Sequence, residues 1–202
     1  MYYVWRAAVR TWRGHPAYAD MRPFRKDWYN VIYHLSCHPF RELMPDKLEY
    51  DMYGAGGGLP DHVTSAAFEP VSPRLARLIL ETGVSHEQIP ASIYNKRTGA
   101  IMADDYSYFH IMNCLEALDM ERTEGDIDAN RFGRPFLRRV RRLVLKEEIL
   151  ARNPSMFRVG EFEMLVLVND DFRNAYLRQN LTGSSFVPID EYNQGFGPGA
   201  KP

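Results

Sequence analysis

With 45% hydrophobic, 13% aromatic and 25% charged residues over 202 positions, the chain has the composition of a folded protein, one domain or a domain with an appended lobe. Its 25 Lys and Arg against 26 Asp and Glu give a formal net charge of −1, which argues against general nucleic-acid binding, because phosphate neutralisation needs surplus cations. No apolar run approaches the ~20 residues that cross a bilayer, and basic residues interrupt the opening MYYVWRAAVRTWRGH, so the sequence reads as a cytoplasmic protein with neither membrane span nor export signal.

The opening Tyr2-Tyr3-Val4-Trp5 and the stretch Trp28–Leu35 are rich in aromatic and β-branched residues and are predicted strands. Leu48–Tyr53 alternates less cleanly, and the glycine run Gly54–Gly58, followed by Leu59-Pro60, is expected to be a mobile loop. The strongest helix signal is Ser72–Thr82, where Ser72 can cap, Pro73 suits the first turn, and Leu75, Leu78, Ile79 and Thr82 recur at helical spacing before Gly83. Strands are expected at Ala91–Asn95, Ser107–Leu115, Met156–Val159, Phe162–Val168 and Ser185–Ile189, with a second helix starting at Asp170 or Asp171 and running through Gln179. Phe136, Leu137, Val140, Leu143 and Val144 fit a helical stripe, although Leu143-Val144-Leu145 alone fits a buried strand equally well, so 136–150 is open between helix and strand. The fold class is therefore α+β, a mixed or antiparallel sheet with a few packed helices in a single compact unit. The Gly- and Pro-rich 193–202 is expected to be a disordered tail.

Sites for small-molecule chemistry are scarce. The glycine run lacks both a Gly-Lys-Ser/Thr ending and GxGxxG spacing, so a flexible linker is favoured over a phosphate cradle. His34 and His38 flank Cys37 and could share a metal on a helix, but Pro39 follows and no third ligand is near in sequence. Cys37 and Cys114 lie far apart with no CxxC or Cys/His pairing, and are expected to be two buried thiols in a reducing compartment rather than a disulfide. Neither lies in a nucleophile motif, and no Gly-x-Ser-x-Gly elbow occurs. No cofactor, metal or catalytic residue is assigned. An enzyme site assembled in space around His34, Cys37 and His38 is the alternative.

The distribution of charge is more informative. Glu116, Asp119, Glu121, Glu124, Asp126 and Asp128 crowd a segment whose only counter-charge is Arg122. Arg131, Arg134, Arg138, Arg139, Arg141, Arg142 and Lys146 follow without an acid. The two blocks either pair with one another across the fold or leave one face for a charged partner, where complementary charge speeds encounter. Asp104-Asp105-Tyr106-Ser107-Tyr108-Phe109 offers anchor-type residues for such a face, against strand packing for its tyrosines and a solvated turn for the adjacent acids. The candidate partner-binding set is accordingly Asp104, Asp105, Tyr106, Tyr108, Glu116, Asp119, Glu121, Glu124, Asp126 and Asp128, with the acidic stretch expected to steer toward a basic partner.

Several segments together resemble a family of bacterial immunity proteins of polymorphic toxin systems. They are the Tyr-Tyr start, Leu59-Pro60-Asp61-His62, Phe68-Glu69-Pro70-Val71-Ser72-Pro73-Arg74-Leu75, the Pro-containing Gln88–Asn95, Asn113–Asp119, Met156–Val159, the Asp170-led helix, and Leu181-Thr182-Gly183-Ser184-Ser185-Phe186-Val187-Pro188. The resemblance covers 59–189, and Ala7–Tyr53 carries none of it. It divides the chain into a strand-rich lobe at 1–58, a family-like α+β domain at 59–192 and the tail. It carries no catalytic motif and implies an α+β protein encoded beside a toxin that binds the toxin without turnover. A secretion-system assembly protein, marked by a stable homo-oligomer without a toxin, is a further alternative.

Overall fold

The structure is a computed structural model and describes residues 1–8, 11–12, 15–16, 18–24, 37–53, 58–65, 68–129 and 135–193. In chain order the strands and helices are β1 (Tyr2–Ala7), β2 (Thr11–Trp12), β3 (His15–Pro16), β4 (Tyr18–Met21), β5 (Leu48–Tyr53), β6 (Pro70–Val71), α1 (Pro73–Glu81), β7 (His86–Asn95), β8 (Ile101–Ile111), β9 (Cys114–Leu115), β10 (Glu124–Ala129), β11 (Pro135–Arg142), α2 (Glu147–Arg152), β12 (Met156–Val159), β13 (Val166–Asn169), α3 (Asp170–Arg178) and β14 (Ser184–Pro188). The fold class is α+β. The expected strand at Trp28–Leu35, Gly54–Gly57 of the glycine run and positions 194–202 of the tail lie outside the described residues.

One five-stranded sheet has the order β14-β1-β13-β12-β9, antiparallel except for the β12–β9 pair. Its centre is buried on both faces, which explains the nearly unbroken apolar run of β1. Tyr2 and Val4 point into one core with Phe157, Val159 and Leu167, while Tyr3 points into another with Met156 and Val168. The first strand thus lies between two of the last, β13 and β14.

A second sheet, β4-β5-β7-β8-β6, has one wet face. Leu48, Tyr50 and Met52 of β5 are buried with Ile89, Ala91 and Ile93, and the alternate residues Glu49, Asp51 and Tyr53 look out. There Asp51 receives Arg22 at 2.7 Å and Lys96 at 3.4 Å, and Arg22 also covers the Tyr94 ring at 4.1 Å. The guanidinium beside it holds the Asp51 carboxyl below its ordinary value.

Helix α1 joins the sheets. The Ser72 hydroxyl accepts the Leu75 amide at 3.3 Å, Pro73 occupies the first turn, and Gly83 leaves with φ +68°. Leu75 and Ile79 are fully buried with Phe109 and Ile111 of β8 and with Val168 and Phe172 from the other side. Each such aliphatic contributes about 1.5–3 kcal/mol of transfer free energy. Helix α3 begins where expected, at Asp170, with the Asn169 side chain accepting the Phe172 amide at 3.1 Å.

Three expectations need correction. Phe162–Val168 is only half strand: Gly160–Phe162 forms a 3-10 turn and the ladder starts at Val166. The buried Glu161 carboxylate there accepts the amides of Ala117 at 3.0 Å and Leu118 at 3.1 Å, which draws this segment out of the sheet. Ser107–Leu115 is not one strand, because after Ile111 the chain leaves one sheet and Cys114-Leu115 joins the other beside β12. The two cysteines are not free thiols. Cys37 and Cys114 form a disulfide across 77 residues, Cα atoms 5.8 Å apart, which sequence spacing gave no means to foresee. The ambiguous 136–150 resolves into β11 followed by the first turn of α2.

Candidate functional site

Three polar arrangements stand out. The first ties together segments more than a hundred residues apart. Asp61, 7% exposed, accepts the Thr182 amide at 2.8 Å on Oδ2 and the Ser72 hydroxyl at 2.6 Å on Oδ1. His62 lies under the Trp5 indole, ring centres 4.7 Å apart, with Nδ1 2.9 Å from Ser184 Oγ and Nε2 3.4 Å from Glu69 Oε2. The Ser184 hydroxyl bridges the two rings, its oxygen accepting Trp5 Nε1–H at 2.9 Å and lying within hydrogen-bond distance of His62 Nδ1. These are the groups of a nucleophile relay, yet His62 is 3% exposed and the indole occupies the acceptor side of Ser184. The arrangement binds β1, β14 and the 61–69 segment into one piece.

The second lies at the seam of the two sheets. Arg158 of β12 is buried, donating Nε–H to the Ile111 carbonyl at 2.9 Å and an Nη1 hydrogen to the Glu163 carbonyl at 2.5 Å. It stands in register with Cys114. His110 Nε2–H donates to the His38 carbonyl at 3.0 Å, and its ring meets Phe40 edge-on at 4.1 Å. Burial first, and the Arg158 charge second, push the His110 imidazole down to about 4. Cys37 is held in the disulfide, so it supplies neither a thiolate nucleophile nor a thiolate ligand. His38 is exposed, and His34 lies outside the described residues. Among the described residues no group of three or more His, Cys, Asp or Glu is placed to hold a metal.

The third arrangement is a long antiparallel ribbon. A Leu118–Leu145 bridge and the β10–β11 ladder run the acidic limb beside the basic one, so that Glu124 faces Arg142 and Asp126 faces Arg139. The charges pair across it, Arg141 to Asp126 at 3.3 Å and Arg142 to Glu124 at 3.8 Å. All four side chains are more than half exposed, so each pair contributes no more than a few tenths of a kcal/mol. Lys146 donates to the Glu116 carbonyl at 2.9 Å. Asp119 accepts the amides of Glu121 and Arg122, each at 3.2 Å, and so shapes a turn. Glu116 and Glu121 are exposed with no ion pair among the described residues.

The remaining candidates divide. Asp104 and Asp105 are exposed on β8 rather than in a turn; Asp104 pairs with Lys47 and accepts the Ser92 hydroxyl at 2.5 Å, and the ammonium lowers its carboxyl. Tyr106 and Tyr108 point inward. The Tyr106 hydroxyl donates to the Pro60 carbonyl at 2.8 Å, and Tyr108 packs edge-on against Phe68 at 5.1 Å. Residues that sequence reasoning did not single out, Asp61, His62, Ser184 and Arg158, form the densest polar contacts. All four lie inside the segments that carried the family resemblance.

A model of the Immunity protein family (Imm11) matches residues 15–191. The match includes most of Ala7–Tyr53, where the sequence had shown no resemblance. No curated protein matches the chain.

Proposed function

The chain belongs to the Immunity protein family (Imm11), and on that premise we propose that it binds a cognate bacterial toxin and neutralises it by stoichiometric protein–protein inhibition, without turnover. The observation that carries this reading is the family match over 15–191, which takes in the second sheet, every strand of the first but β1, and the charged ribbon. The geometry supports it in two ways. The dense polar contacts are spent inside the fold, Asp61 on Thr182 and Ser72, Arg158 on two carbonyls, which builds a rigid body rather than an open reaction centre. The surface, by contrast, carries the ribbon 116–146 with exposed charge along both limbs, the kind of rim that selects a partner.

The experiment is co-expression with the toxin encoded beside this chain in a sensitive host. Restored growth together with a co-purifying complex is the expected outcome. Continued killing, with no complex detected, removes the reading.

A further inference from the structure

The charged ribbon allows a more specific statement, which rests on the reading of this protein as a toxin-binding one. Residues 124–142 contain three carboxylates, Glu124, Asp126 and Asp128, and six arginines, Arg131, Arg134, Arg138, Arg139, Arg141 and Arg142, in a chain whose formal net charge is −1. Pairing within the hairpin consumes carboxylates: Glu124 and Asp126 are taken by Arg142 and Arg141. Arg139 is exposed and has no ion pair among the described residues. Asp128 is engaged as well, so among the described residues the charge left over on these two strands is that of Arg139, although the stretch that enters them is acidic.

The arm also has the build of a contact surface. Leu137 and Val140, fully buried, fasten β11 to the core beneath. Ile127, in register with Leu137, is 50% exposed amid charged neighbours. Two register shifts interrupt the ladder, at Glu124/Gly125 and Asp126/Ile127, and a side chain on Gly125 would overlap the Arg139 carbonyl. Such irregularities re-aim side chains and recur beside functional surfaces. Beyond β11, β10 has no strand neighbour among the described residues.

We propose that strands β10 and β11 dock on a carboxylate-rich face of the toxin, with Arg139, unpaired among the described residues, supplying a cation and Ile127 the apolar anchor. A guanidinium forms paired hydrogen bonds with carboxylates, arginine is among the residues enriched in binding hot spots, and burying Ile127 against a partner would exclude water beside it. A nucleic acid is the rival polyanion. The interleaved Glu124, Asp126 and Asp128 break any continuous phosphate track, and the whole chain lacks net positive charge.

The test uses the full chain and the adjacent toxin in stopped-flow association at low salt and at about 1 M salt. Arg139→Glu slows association about tenfold at low salt, the gap closes at high salt, and Arg139→Lys restores most of the rate. Ile127→Asp speeds dissociation about tenfold with an unchanged melting temperature. Glu116→Lys and Glu121→Lys leave association unchanged or faster. An Arg139→Glu variant that associates normally overturns the proposal, and so does slowing by the two acid-limb reversals, which would place steering on the acids. Poly-L-glutamate and duplex DNA serve as probes that need no toxin: retention of poly-L-glutamate at low salt, weakened by Arg139→Glu, supports the proposal, while preference for DNA or no retention overturns it. Poly-L-glutamate binding by a chain that neither binds nor neutralises the toxin separates failure of the immunity reading from failure of this surface.

Discussion

Asp61 Oδ2 accepts the backbone amide of Thr182 at 2.8 Å across 121 residues of sequence, and the Thr182 carbonyl in turn accepts the His62 amide at 3.0 Å. This reciprocal pairing fastens the segment ahead of α1 to the turn that leads into β14. Replacing Asp61 by Ala leaves the Thr182 amide and the Ser72 hydroxyl without their acceptor. The expected cost is about 2–3 kcal/mol, read as a lower urea midpoint at constant slope, with Asp61→Asn recovering part of it. An unchanged midpoint in Asp61→Ala would show that the tie contributes nothing.

Gly183 sits at the same junction with φ +94°, and a side chain there would overlap the His62 carbonyl oxygen and crowd Pro60. Gly83, at φ +68°, has open space around it. Both Ala substitutions impose a left-handed backbone on a residue that resists it, which costs about 1–2 kcal/mol. Only Gly183→Ala adds the steric clash, so it should destabilise clearly more than Gly83→Ala in parallel thermal melts. Equal effects would mean that close approach is not what requires glycine at 183.

The Cys37–Cys114 bridge closes a loop of 77 residues. Restricting an unfolded loop of that length stabilises the native state by about 4.5 kcal/mol in the chain-entropy account. The melting temperature should fall on adding reductant and fall equally in Cys37→Ser and Cys114→Ser without it. If wild-type melts agree with and without reductant, the bridge does not support the fold.

His110 gives the fold a pH dependence whose sign follows from burial. Its folded value lies at about 4 against an ordinary 6.5, so between those limits the unfolded chain holds a proton that the folded site refuses. Stability is full above 6.5 and declines as pH falls toward 4, by about 2–3 kcal/mol. Asp51, Asp104 and Asp170, whose carboxyls are all lowered, add a separate loss at more acidic pH, as the medium falls below their ordinary 3.8. Urea midpoints at pH 7 and pH 5 should differ for wild type and converge for His110→Gln. A His110→Gln variant with the full wild-type difference would assign it to other groups.

The legible parts of the fold were those in which local chemistry and tertiary context agree. Ser72, Pro73 and the Leu75–Ile79 spacing specify α1 without help from elsewhere, and Tyr2-Tyr3-Val4 reads as a strand because both its faces are buried. Phe162 misled because its burial is that of a strand residue, whereas its backbone follows the Glu161 carboxylate to the amides of Ala117 and Leu118. The disulfide, the Arg158 seam and the Asp61 junction join residues distant in sequence, and composition carries no distance. Of the candidate surface, the opposed charge blocks were visible, but only the β10–β11 register shows which carboxylates are already paired.

The central claim is inhibition by binding rather than by turnover, and titrating the toxin's activity with increasing amounts of this chain tests it most directly. The account predicts a straight fall to zero at one equivalent, independent of incubation time, with activity restored when the partners are separated. Progressive loss of excess toxin activity at a small fraction of an equivalent, or full toxin activity at several equivalents, would contradict it.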